Sequence, residues 1–87
     1  SAEVRAELAL ANFAADHRDE AESQLRAIIA EDADYAVAHY LLANMLAARE
    51  AWADAATEYE AFVRAAPSAP EAAQARERLT YVRGRAH

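Results

Sequence analysis

The 87-residue chain has no cysteine and no lysine, a single glycine and two prolines. Without cysteine there is neither a disulfide framework nor a thiolate metal site. So little glycine and proline leaves few of the tight turns that a β protein needs. No run of 18 or more apolar residues is present, so no segment is long enough to span a bilayer. A basic start followed by an apolar stretch is also missing, so these residues hold no signal peptide; a processed chain or an excised domain reads the same way. A soluble protein is expected, and its compartment leaves no mark in the sequence.

What the chain has in excess is alanine. There are 27 alanines against 21 larger apolar residues. Alanine loses no side-chain rotamer freedom in a helix and is the strongest helix former. The expectation is one small all-α domain of thin helices packed closely through small side chains. Net charge is −6 and unevenly spread: residues 1–34 carry nine acids and three arginines. An acidic body works against phosphate neutralisation, the main source of nucleic-acid affinity, so no nucleic-acid partner is expected. Arg76, Arg78, Arg83 and Arg85 gather near the end, where cations suit a helix C-terminus.

The sequence repeats at one fixed offset, that from Ala2 to Ala36. At the same offset Leu8-Ala9 returns as Leu42-Ala43, Ala21 as Ala55, Leu25 as Tyr59, and Ile28-Ile29 as Phe62-Val63. Each segment holds two helix-length patterns separated by a polar break, near Asp16–Arg18 and Arg49–Ala51.

Two helices in each unit of about 34 residues, with these residue types at these places, resembles the tetratricopeptide repeat family. The second unit carries the pattern as Leu42-Ala43, Trp52, Ala55, Tyr59 and Pro67. The first carries Leu8-Ala9, Ala21 and Leu25, but has Asn12 where the family usually has an aromatic and Ala33 in place of the closing proline. The resemblance covers residues 2–68. It implies a right-handed α-solenoid of antiparallel hairpins: repeat 1 over about 2–35, repeat 2 over about 36–68, and a capping helix over about 69–84. Helices are expected near 3–15, 18–32, 35–48, 51–65 and 69–83. Ala9, Ala21, Ala43 and Ala55 should let helices approach closely, with Leu8, Leu25, Ile28, Leu42, Tyr59 and Phe62 filling the space between hairpins. The last helix should start from Ser68 as N-cap, with Pro70 and Glu71 in its first turn, and cover the stack with Ala72, Ala75, Leu79 and Val82.

Residues for catalysis are poorly placed. His17-Arg18-Asp19 spells a kinase catalytic-loop triplet, but the chain is too short for a nucleotide fold, and the triplet falls in a turn of the repeat. His17, His39 and His87 share no metal-ligand spacing; His39 reads as a packed histidine on an apolar helix. Acidic groups such as Asp19-Glu20-Glu22 read as helix-start and solvated residues. No enzyme activity, cofactor or metal is expected.

Between Ala36 and Ala48 the strongly polar side chains are His39 and Asn44. A helix apolar on all sides is buried on most of them, which suits the central helix of the stack. In the resembled family the first helix of each unit lines the concave groove. That implies a partner site of Val37, Tyr40, Asn44, Ala47 and Ala48 from the second unit, with Leu10 and Phe13 beside them; the first unit would offer Glu3, Ala6, Leu10, Phe13 and Ala14. The alternative is that Leu10 and Phe13 only widen the core or touch a neighbouring repeat. The groove reads as apolar and without Lys or Arg, which disfavours the acidic chaperone tails that some family members grip. The leading expectation is a protein-interaction module that binds a peptide or helix of a partner. The second is a structural or self-assembly role, as a homo-oligomer or as part of a longer solenoid or multidomain protein. A third is an appendage of an enzyme. An acidic outer face of Asp19, Glu20 and Glu22 is the alternative docking surface.

Overall fold

The computed structural model describes residues 1–86, leaving His87 outside the described residues. Five helices follow one another: α1 (Ala2–Ala14), α2 (Arg18–Glu31), α3 (Ala36–Ala48), α4 (Trp52–Ala65) and α5 (Ala72–Arg85). No strand occurs among the described residues. The first four helices lie within one residue of the expected bounds at each end.

The repeat offset governs backbone as well as sequence. α1 and α3 are both 13 residues long and α2 and α4 both 14, and each pair starts at that same offset, Ala2 with Ala36 and Arg18 with Trp52. The turns repeat too. Asp16 and Glu50 take the left-handed conformation, with φ of 67° and 62°. The His17 N–H donates to the Asn12 carbonyl at 2.8 Å, and the Ala51 N–H to the Leu46 carbonyl at 2.9 Å. A second bond runs from Asp16 to Phe13 and from Glu50 to Ala47, both at 3.0 Å. This paired pattern is the Schellman ending, which satisfies the last carbonyls of a helix and reverses the chain. Here it is made with acidic residues in the place that glycine usually fills.

α1 packs on α2, α3 on α4, α4 on α5 and α2 on α3, while α1 also touches α3. Antiparallel pairing of α1 and α2 is marked by two contacts at opposite ends. Arg5 meets Glu31 at 2.6 Å, and Asn12 Nδ2 donates to Gln24 Oε1 at 2.9 Å. The Cα radius of gyration of 12.1 Å is that of a packed domain of this length. Ala9, Ala21, Ala43 and Ala55 are fully buried, so no side chain longer than a methyl separates the helices at those points. Leu25, Ile28, Leu42, Tyr59 and Phe62 join them in the core, together with Met45, Leu46, Leu79 and Val82.

Leu8, Ser68 and Ala6 depart from expectation. Leu8 is 54% exposed, whereas Leu42 is buried. Leu42 lies on the helix that α2 packs against; nothing among the described residues packs on the corresponding side of α1. Ser68 does not cap α5. Residues 67–71 form turns, Ala72 N–H bonds to Ala69 carbonyl at 2.9 Å, and the helix starts at Ala72 and runs on to Arg85. Pro70 biases Ala69 away from helical backbone, so the helix cannot start at Ala69. Ala6, expected to line the groove, is buried in the core.

Glu22, read as a solvated acid, is 4% exposed. Arg49 grips it with two bonds, Nε to Oε2 at 2.8 Å and Nη2 to Oε1 at 3.1 Å. The bond from Arg49 is the main cause holding the Glu22 carboxyl below the usual range; burial works the other way and is outweighed. The pair ties α2 to the α3–α4 turn, so Glu22 cannot belong to an acidic outer face.

Candidate partner-binding site

α3 and α5 are linked by side chains that stand one repeat offset apart. The Tyr40 hydroxyl donates to Gln74 Oε1 at 2.7 Å, and Arg78 Nη1 donates to Asn44 Oδ1 at 2.6 Å. Both bonds thus join residues one offset apart, although α5 lacks the leucine–small pair and starts at Ala72. Tyr40 is half-buried. Its ring lies 4.8 Å from that of Phe62 and 6.0 Å from that of Tyr59, and the Arg78 guanidinium stands 5.6 Å from its centroid. Asn44 Oδ1 also accepts from the Tyr59 hydroxyl. Burial is the leading cause that raises the Tyr59 phenol above its ordinary value, which keeps it a neutral donor to Asn44.

Toward the C-terminal end of α3 these residues border a cleft of about 480 Å³. Asn44, Ala47 and Ala48 line it from α3, and Trp52 and Tyr59 from α4. Glu77, Arg78, Tyr81 and Val82 close it from α5. Trp52 and Tyr81 meet edge to face, 5.9 Å apart at 80°. The Arg85 guanidinium lies 5.2 Å from the Trp52 ring and 5.4 Å from the Tyr81 ring. Small residues leave the space and aromatic residues frame it, a combination typical of ligand-binding clefts. Among the described residues Arg78 has no carboxylate within ion-pair distance; Arg83, by contrast, pairs with Glu60 at 2.9 Å.

The structure thus brings together Asn44, Ala47 and Ala48, with Tyr40 at their edge. It does not bring Leu10, Phe13 or Val37 into the cleft. Leu10 and Val37 are exposed; Phe13 is partly buried against the core, with the Arg18 guanidinium 4.7 Å from its ring centroid. Sequence reasoning missed Trp52, Glu77, Arg78 and Tyr81 as site residues. The signal that finds two of them is the offset itself: one repeat beyond Asn44 stands Arg78, and one repeat beyond Ala47 stands Tyr81. The expectation of a groove without cations is corrected by the same residue, Arg78.

Elsewhere, His39 is a packed histidine, 7% exposed. Its Nε2 lies 2.7 Å from the Ala33 carbonyl and its Nδ1 2.7 Å from Glu58 Oε1, which ties the α2–α3 link to α4. Among the described residues no cluster of three His, Asp or Glu side chains is placed to hold a metal ion. No helix among them is long and apolar enough to cross a membrane. Compared with family models, curated proteins and solved structures, the chain gives no significant match.

Proposed function

We propose that this chain is a tetratricopeptide-like protein-interaction module, two helical hairpins and a covering helix stacked as a right-handed α-solenoid, which binds a peptide or helix of a partner between α3 and α5. The observation that carries this reading is the α3–α5 cleft. Its walls are small and aromatic, and its rim holds an arginine with no carboxylate partner among the described residues. A partner segment gains by burying apolar area there, at roughly 25 cal/mol per Å² before ordering costs are subtracted. Asn44 Oδ1 is already engaged by Tyr59 and Arg78, so Asn44 offers its amide N–H groups to a partner carbonyl. Arg78 adds attraction for a carbonyl or an acidic group and makes binding moderately sensitive to salt.

The test is selection of binding peptides from a random display library, followed by mapping of the selected peptides on the chain by NMR. Shifts should cluster on α3 and α5, and the double variant Asn44→Ala, Arg78→Gln should bind at least tenfold more weakly with unchanged helicity. Peptides that perturb neither α3 nor α5 would refute the reading.

A second reading, self-assembly or membership of a longer solenoid, has its own observation. Val4 and Leu8 are exposed, whereas Ala38 and Leu42, their counterparts in the second unit, are buried. A face of α1 that a hairpin covers in the second unit stands open in the first, and open apolar patches mark contacts. Light scattering across concentration tests it. A dimer that Leu8→Glu dissociates supports assembly, and a monomer at all concentrations rules out the homo-oligomer.

A further inference from the structure

The two helical units differ at one place in a way that identifies what the cleft receives. Because the helix bounds coincide at the repeat offset, Phe13 and Ala47 hold equivalent positions, as do Arg18 and Trp52. In the first unit the position carries an aromatic ring, packed against the core, with the Arg18 guanidinium over its face. In the second unit the ring is absent, the residue is alanine, and the cleft opens there. We propose that the cleft at Ala47 is a receptor site for a neutral aromatic side chain presented by a partner segment, in the place that Phe13 fills from within the chain one unit earlier. The proposal rests on the groove reading above and specifies its ligand.

The surroundings select for this occupant. Trp52 and Tyr81 stand edge to face, an arrangement that a third ring extends by further edge or offset contacts. A cationic side chain meets one carboxylate, Glu77, but two guanidinium groups, Arg78 in the lining and Arg85, which already lies over both rings. An anionic side chain can pair with Arg78, but Glu77 repels it and lying against apolar Ala47, Ala48 and Val82 costs it its hydration. An aliphatic side chain fits the floor but forgoes the ring–ring contacts. A cleft of about 480 Å³ has room for one ring together with the backbone that carries it.

Trp52 is the sole tryptophan, so its emission reports on the cleft alone. The experiment titrates the intact chain with N-acetyl-phenylalanine amide and N-acetyl-leucine amide, read by Trp52 emission and by amide NMR shifts. The phenylalanine amide should give saturable shifts at Ala47, Ala48 and Tyr81, and bind roughly threefold to tenfold more tightly than the leucine amide, the range that ring–ring contacts supply. Ala47→Phe fills the cleft from within and should abolish the response while helicity is kept. Tyr81→Ala, on an exposed position, is the second variant and should weaken the response with the fold intact. Equal binding of the two amides, no saturable shift at these residues, or an undiminished response in both variants overturns the aromatic assignment. The groove reading survives those results if library-selected peptides still map to α3 and α5; it falls only if they map elsewhere.

Discussion

Leu8 and Leu42 occupy the same place in two successive units, yet Leu8 is 54% exposed and Leu42 is 2% exposed. The difference is one of neighbours: α3 is packed by α2, whereas α1 has α2 and α3 beside it and nothing among the described residues on its other side. Truncating the two leucines should separate them. Leu42→Ala should cost about 2–5 kcal/mol, the loss of transfer energy plus a cavity. Leu8→Ala should stay within about 0.5 kcal/mol, as surface changes do. Urea denaturation of both variants measures this, and equal costs would show that the open face of α1 is covered in solution.

Asp16 and Glu50 reverse the chain in a backbone region that strains residues with a Cβ. Glu50→Gly should therefore stabilise the fold by about 0.5–1 kcal/mol, the relief of left-handed strain less the added freedom of the unfolded chain. Asp16→Gly should gain less. Aspartate tolerates this region better than glutamate, and its carboxylate also pairs with Arg18 at 3.1 Å. Thermal melts of the two variants should rank in that order. A destabilised Glu50→Gly would mean that the acidic side chain contributes more than its backbone costs.

Glu22 and Arg49 make stability depend on acid. Arg49 lowers the Glu22 carboxyl in the folded state, so the stabilisation is full above the ordinary carboxylate range near pH 4.3 and is lost as pH falls through the depressed value. Glu22→Gln should cost about 1–2 kcal/mol at pH 6, where a charge-assisted bond is replaced by a neutral one. The gap to wild type should narrow as pH falls from 5 toward 2, because protonated glutamic acid and glutamine then bond alike. Denaturation at a series of pH values provides the check; a gap that stays constant with pH means that Glu22 is not ionised in the fold.

Much of the architecture was legible because the offset repeats in residue type. Ala9/Ala43 and Ala21/Ala55 mark the close helix contacts, and all four are buried. The ends of α1 and α3 were legible as polar breaks, but not the Schellman geometry, since neither turn carries the glycine that signals it. The start of α5 was misplaced because Ser68, Pro70 and Glu71 compose a good helix beginning locally, while the chain uses those residues to turn. The candidate site was legible only in its α3 half, at Tyr40, Asn44, Ala47 and Ala48. Its α5 half, Arg78 and Tyr81, lies on a helix whose residue types no longer follow the repeat.

The sequence by itself determined the helices, their period and their alanine contacts, because propensity and spacing act between residues near in the chain or equivalent in the repeat. The tertiary structure alone decided which copies of a repeated residue are covered. Leu42 is buried and Leu8 is not; Glu22 is buried because Arg49, 27 residues away, reaches it. It also decided that Arg78 stands against Asn44 and that Trp52 and Tyr81 frame an opening at Ala47. Burial and pairing depend on which helix arrives alongside: α2 packs against α3, and no described helix packs on the matching side of α1.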